Sequence, residues 1–270
     1  MTRTIFTGWA LTALLMCANF TSCSSDDDDE PIADSSSTND GEEKKPDAVD
    51  LGLPSGTLWA TFNVGATAPE EYGDYFAWGE IEPHYADGHS QDSPCSDWRD
   101  GYSGYDWVDY KWGNGKDEWK TINKYTVADN QRDGIWYDGS EFVGDGKTEL
   151  DDEDDVAVQL WGADWQMPTI ADWEELIDNC TWTWTTENGV DGYKVTSKKD
   201  GYTDKSIFLP AAGNRLGSYI VSSEGNYWSR SLYVRSQYAC CFYFISDIVF
   251  MTTNHYRCEG YSVRAVQRKK

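Results

Sequence analysis

The sequence predicts an α+β domain of small antiparallel sheets, about two helices and long ordered loops. Three observations carry this. Fourteen Trp and seventeen Tyr are many for the length, while regular leucine repeats are absent. The 24 glycines are spread along most of the chain, so turns are dense. Apolar residues alternate with the period of a strand in most segments and follow helical spacing in two.

The chain opens MTRTIFTGWALTALLMCANFTSC. Arg3 precedes an apolar run from Ile5 to Met16 that is too short for a permanent membrane helix, so residues 1–22 read as a signal peptide. Phe20-Thr21-Ser22-Cys23 resembles a bacterial lipobox with Phe20 in place of the usual aliphatic residue, and Cys23 is then the lipidated first residue of the mature chain. Cys17 is the weaker acceptor because Met16 is too bulky for the small-residue site. Acyl chains partition at roughly 0.8 kcal/mol per buried CH₂, so a multiply acylated cysteine anchors stably. Residues 23–47 are rich in Asp, Ser and Glu and cannot bury enough apolar surface to fold, so they read as a tether. The acidic cluster after Cys23 resembles the export signal that carries Bacteroidetes-type lipoproteins to the outer face of the outer membrane.

Residues 48–270 remain, about one large domain. The chain carries 22 basic and 47 acidic residues, a net charge of −25. Nucleic acid is therefore not an expected partner, since phosphate binding needs a basic footprint, and any membrane attachment falls to the lipid. Beyond Cys17 and Cys23 there are Cys95, Cys180, Cys240, Cys241 and Cys258, an odd set without C-x-x-C spacing. An exported chain permits disulfides. With three His in all, a thiolate or imidazole zinc site is not expected.

In the opening of the domain, Leu58, Ala60 and Phe62 alternate with Trp59, Thr61 and Asn63 as in a strand, and a second strand is expected at Tyr75 to Trp78. Residues 81–150 read as loops and short hairpins held by aromatic packing. Val156 to Trp161, preceded by acidic residues, predicts a short helix. Ile170, Trp173, Leu176 and Ile177 share one helical face, and Thr169 with Asp172 gives a capping-box-like start. From Trp182 onward the segments TWTWTT, GYKVTS, SIFLPAAG, EGNYWSRS, YACCFYF, DIVFMT and GYSVRAVQ read as strands.

GTLWATFNVGA, WGADWQMPTIADWEEL, FLPAAGNR, GNYWSRS and GYSVRAV occur in this order, and together they resemble the Fibrobacter-type major paralogous domain and its Bacteroidetes lipoprotein relatives. The likeness spans roughly residues 48–268. It implies a C-type-lectin-like fold in which first and last strands pair and a small sheet presents loops for binding. The Glu-Pro-Asn, Gln-Pro-Asp and Trp-Asn-Asp signatures of calcium-dependent sugar binding are absent from the sequence. The enzyme branch of that fold group needs a pair of reactive cysteines, whereas adjacent Cys240 and Cys241 point to opposite faces of a strand. Related surface lipoproteins are targets of diversity-generating retroelements, and residues 227–258 sit where such a variable region would.

The same resemblance places Phe242 and Phe244 at usually apolar positions, so their face, with Cys240, is expected inside. Cys241, Tyr243 and Ile245 then face outward with Arg230, Tyr233, Arg235, Tyr238, Phe250, Thr252, Asn254 and Tyr256 as candidate ligand contacts. The run Asp151, Asp152, Glu153, Asp154, Asp155 offers carboxylates for calcium but lacks the glycine and spacing of an EF-hand, and a solvated loop capping the next helix is the preferred reading. His84, His89 and His255 lie in polar loop sequence with no triad order, and no catalytic residue is assigned. The expected function is binding of an extracellular protein or glycan. The alternatives are an enzyme acting on envelope carbohydrate or protein through a carboxylate site at 145–155, and a structural surface or fimbrial component.

Overall fold

A computed structural model describes residues 44–85 and 103–268, with backbone alone at 251–254. The expected signal peptide, the expected lipidation site Cys23, most of the expected tether, His89 and Cys95 lie outside the described residues. The domain, Glu42–Lys270, is α+β: small antiparallel sheets with two α-helices among the described residues.

Strands β1 (Ala48–Asp50) and β2 (Leu58–Ala60) open the domain, and β3 (Tyr137–Asp138) and β4 (Glu141–Phe142) form a small hairpin in the long loop region. Helix α1 (Val156–Trp161), β5 (Trp165–Gln166) and helix α2 (Ile170–Asn179) follow. Strands β6 (Cys180–Glu187), β7 (Val190–Ser197) and β8 (Ser206–Pro210) form one meander. A hairpin of β9 (Asn214–Leu216) and β10 (Tyr219–Val221) precedes a second meander, β11 (Gly225–Leu232), β12 (Tyr238–Ile245) and β13 (Ile248–Tyr256). The last strand, β14 (Val266–Gln267), pairs antiparallel with β2 and β5, so the two ends of the domain are joined in the order β1-β2-β14-β5.

Both predicted helices form. Asp155 caps α1 by accepting the N–H groups of Ala157 and Val158. At α2 the capping box is complete: Asp172 N–H donates to Thr169 Oγ1 (3.2 Å), and Thr169 N–H donates to Asp172 Oδ2 (2.8 Å). The helix turns Trp173 and Leu176 onto Tyr227, Phe242 and Phe244 of the β11–β12–β13 sheet. Trp173 lies flat on Phe242, with ring centroids 4.3 Å apart and planes 8° apart. Burying each such side chain stabilises the fold by roughly 1.5–3 kcal/mol.

Several expected strands are shorter than their patterns. The Leu58 alternation is regular only to Ala60, and the segment at Tyr75 to Trp78 is reduced to a bridge between Phe76 and Tyr261. Within GYSVRAVQ only Val266–Gln267 is regular strand. The reason is partner switching: Gly260, Tyr261, Val263 and Ala265 bond in turn to Arg215, Phe76, Val64 and Ala60, so no continuous ladder builds. Buried arginines fasten these loops. Arg257 donates to the carbonyls of Lys124, Tyr125 and Ser236 and to the Tyr110 hydroxyl, tying the region before α1 to the end of β13.

Candidate binding surface

The inner face of the β11–β12–β13 sheet is set by Tyr227, Phe242 and Phe244, all buried against α2 and the β6–β7–β8 meander. The opposite face has a covered centre and an open end at the β12–β13 hairpin, and a second open region lies at the far end of β12. Trp228 stands beside Cys241 in the ladder, and Tyr261 stacks on the Trp228 indole at 4.1 Å. Cys241 is 0% exposed within that cluster, which corrects its expected outward placement. The strand alternates as expected, but the loop carrying Tyr261 closes over this part of the second face. Burial also pushes the Cys241 thiol well above its ordinary value.

Arg230 is corrected in the same sense. Its guanidinium donates to Leu150 O (2.7 Å) and Gln166 Oε1 (3.1 Å) and lies 3.5 Å from Asp152 and 3.8 Å from Asp155. It braces the acidic run. The side chains of Thr252 and Asn254 lie outside the described residues; their backbone belongs to β13.

At one open end, the β12–β13 hairpin presents Tyr243 and Ile245, both half-buried, beside Ile248 and Phe250. The Tyr243 and Phe250 rings meet at 5.1 Å, and Phe250 is 42% exposed. At the other end of β12, Tyr238 falls on the Phe242 side by the strand period, which corrects its expected placement beside Cys241. It stacks on Tyr256 (5.0 Å), Tyr256 meets Trp107 edge-on (5.7 Å), and Tyr233 meets Tyr238 edge-on (6.4 Å). Tyr256 is 38% exposed. Tyr233, Val234, Arg235 and Tyr238 line an open hollow of about 420 Å³ beside this row. Rigid rings flanked by a guanidinium are suited to a partner surface or a sugar face, because they offer contact area at low entropic cost.

The acidic run is a different kind of site. Asp154, buried, receives Lys111 Nζ (3.1 Å), Lys124 Nζ (2.5 Å) and the Tyr125 hydroxyl (2.6 Å). Lys124 also reaches Glu153 (2.9 Å) and Asp151 (3.1 Å). Oxygens of Asp151, Glu153 and Asp154 converge within 4.8 Å, and the Lys124 ammonium bonds to all three residues. Burial alone would raise Asp154, yet Lys124, Tyr125 and Lys111 together hold it below its ordinary value. The run is thus a lysine-bridged brace with Asp154 and Asp155 inside, which corrects the solvated-loop expectation while keeping the helix cap. Of the histidines, His84 bonds Glu80 (2.5 Å) and the Gly104 carbonyl (2.8 Å), and His255 contacts Tyr261 and Glu259.

Sequence reasoning missed Val234, Ile248 and Trp107 as surface residues. Ile248 lay in a predicted strand whose outward register was readable; Val234 and Trp107 sit in turns, where no periodicity marks exposure. No known family's sequence profile matches the chain, and comparison with curated proteins and with solved structures returns no match.

Proposed function

We propose that the chain is a lipid-anchored protein of the outer cell surface whose C-type-lectin-like domain binds an extracellular protein or glycan, without catalysis. The observation that carries this reading is the half-open aromatic row Tyr233, Tyr238, Tyr256 and Trp107 beside the Arg235-lined hollow. Folded chains seldom leave such rings in water without a use for them. The pairing of the early strand β2 with the last strand β14 is in keeping with the lectin-like arrangement. Of the carboxylates in the 145–155 region, Asp145 borders a hollow of about 320 Å³ but accepts the backbone N–H groups of Tyr125 and Thr126, and Asp154 is held by two lysines.

A glycan and extracellular-protein array probed with the full chain in detergent tests this. Saturable capture of a defined ligand is expected. Turnover of array carbohydrate or protein without retention would favour an enzyme instead.

A further inference from the structure

The open end of the sheet near Tyr243 holds a carboxylate without a cationic partner. Glu224, half-buried, accepts Nδ2 of Asn226 (2.9 Å) and of Asn214 (3.2 Å) on one oxygen and the Tyr243 hydroxyl (3.2 Å) on the other. All three donors are neutral, and no Lys, Arg or His forms an ion pair with Glu224 among the described residues. Spare acceptors lie beside it. Oδ1 of the fully buried Asn226, on the same amide that donates to Glu224, has no hydrogen-bond partner among the described residues. The hydroxyl of Ser262, whose N–H donates to the Asn226 carbonyl, is in the same condition. The Ser262 hydroxyl can donate as well as accept, so the unmet demand here is the Glu224 charge, held only by neutral donors, which a cationic donor from outside can meet.

The rim of this site is apolar. Phe250 stands against Tyr243, and Ile248 next to it is 47% exposed. The β9–β10 hairpin, which carries exposed Tyr219 and Val221, is fixed to the same edge by the Gly213 N–H on the Glu224 carbonyl (2.7 Å). A carboxylate at the foot of aromatic rings matches an ammonium on an alkyl stem, which gains from the charge and from the ring faces together. The net charge of −25 attracts cationic partners over distance and repels acidic ones, whereas a neutral glycan gains nothing from it.

We propose that this end of the sheet receives a lysine side chain of a cationic polypeptide, its ammonium meeting Glu224 and its stem crossing Tyr243 and Phe250. This adds a contact at the opposite end of β12 from the aromatic row described under Proposed function, and rests on that reading.

The test is calorimetric titration of the full chain in detergent with acetylated hexalysine. Glu224→Gln removes the charge at constant size, Phe250→Ala removes an exposed ring, and Asp200→Asn removes an exposed charge from the β7–β8 connection. Glu224→Gln and Phe250→Ala are each expected to weaken binding roughly fivefold, as loss of one favourable contact of this kind would, while Asp200→Asn stays within twofold of the parent. Equal affinity across all four proteins means diffuse attraction to an acidic chain and overturns the proposal, as does absence of binding. Should Glu224→Gln melt early, Phe250→Ala against Asp200→Asn decides. If an array ligand is held through Tyr238 and Tyr256 while hexalysine ignores Glu224, this inference alone fails; if neither binds, the parent reading fails with it.

Discussion

Trp228 and Tyr261 stack with centroids 4.1 Å and planes 16° apart, and this pair decides which part of the β11–β12–β13 face meets solvent. Cys241 lies in the same buried cluster, whereas Tyr243, two residues on, is half-exposed. Replacing Tyr261 by Ala removes a buried ring and should cost about 3–5 kcal/mol in urea unfolding. It should also make Cys241 reactive toward a thiol reagent in the native state.

In the parent protein the thiols of Cys180, Cys240, Cys241 and Cys258 are free and buried, and burial raises all four, Cys180 and Cys240 to about 11. Thiolates are the reactive form. Peptide mapping after native alkylation should find these four unmodified, and full modification should appear only in denaturant.

Asp172 closes the capping box of α2 and also receives Arg268 at 2.5 Å. Asp172→Ala should lower unfolding free energy by at least about 1 kcal/mol. Thr169→Ala should cost less, because the Arg268 contact survives. Matched unfolding curves for the two variants would contradict this ordering.

Stability should depend on pH in two opposing ways. Burial outweighs the N–H donors of Met167 and the nearby Arg230 and pushes Asp155 up to about 6, from an ordinary 3.8. Between those values the folded state binds more protons than the unfolded state, so this group makes stability fall as pH rises. Asp151, Asp154 and Asp172 are held below 3.8 despite burial, by Lys147 and Lys124, by Lys124, Tyr125 and Lys111, and by Arg268 and Thr169. Their contribution is complete above 3.8 and is lost as pH falls through the lower folded-state values. Asp155→Asn should therefore flatten the stability profile between pH 4 and 6 and leave the acid limb in place.

The backbone carbonyl of Val221 would lie 2.0 Å from a Cβ at Gly213, where φ is +74°. Gly213→Ala should displace the β9–β10 hairpin and destabilise the domain by roughly 1–3 kcal/mol. A melting temperature equal to that of the parent would rule this out.

The helices were legible because their signals are local: Thr169, Asp172 and the Ile170/Trp173/Leu176/Ile177 spacing sit within one short window. The long strands β6, β7 and β12 were legible for the same reason. Cys241 was misplaced because a period of two assigns side chains to opposite faces but says nothing of what covers each face. Its cover, Tyr261, is distant in sequence. Arg230 was misread because a cation in a strand looks alike whether it meets a ligand or the buried end of an acidic run. The short strands β3, β4, β9 and β10 carry two or three residues each, too few for any period.

The most direct measurement is the affinity of the captured array ligand for the parent chain and for Tyr238→Ala/Tyr256→Ala, with near-UV circular dichroism showing both folded. The account predicts a loss of at least about tenfold, since paired aromatic anchors of this kind carry much of an interface's energy. Unchanged affinity in a folded double variant would contradict it.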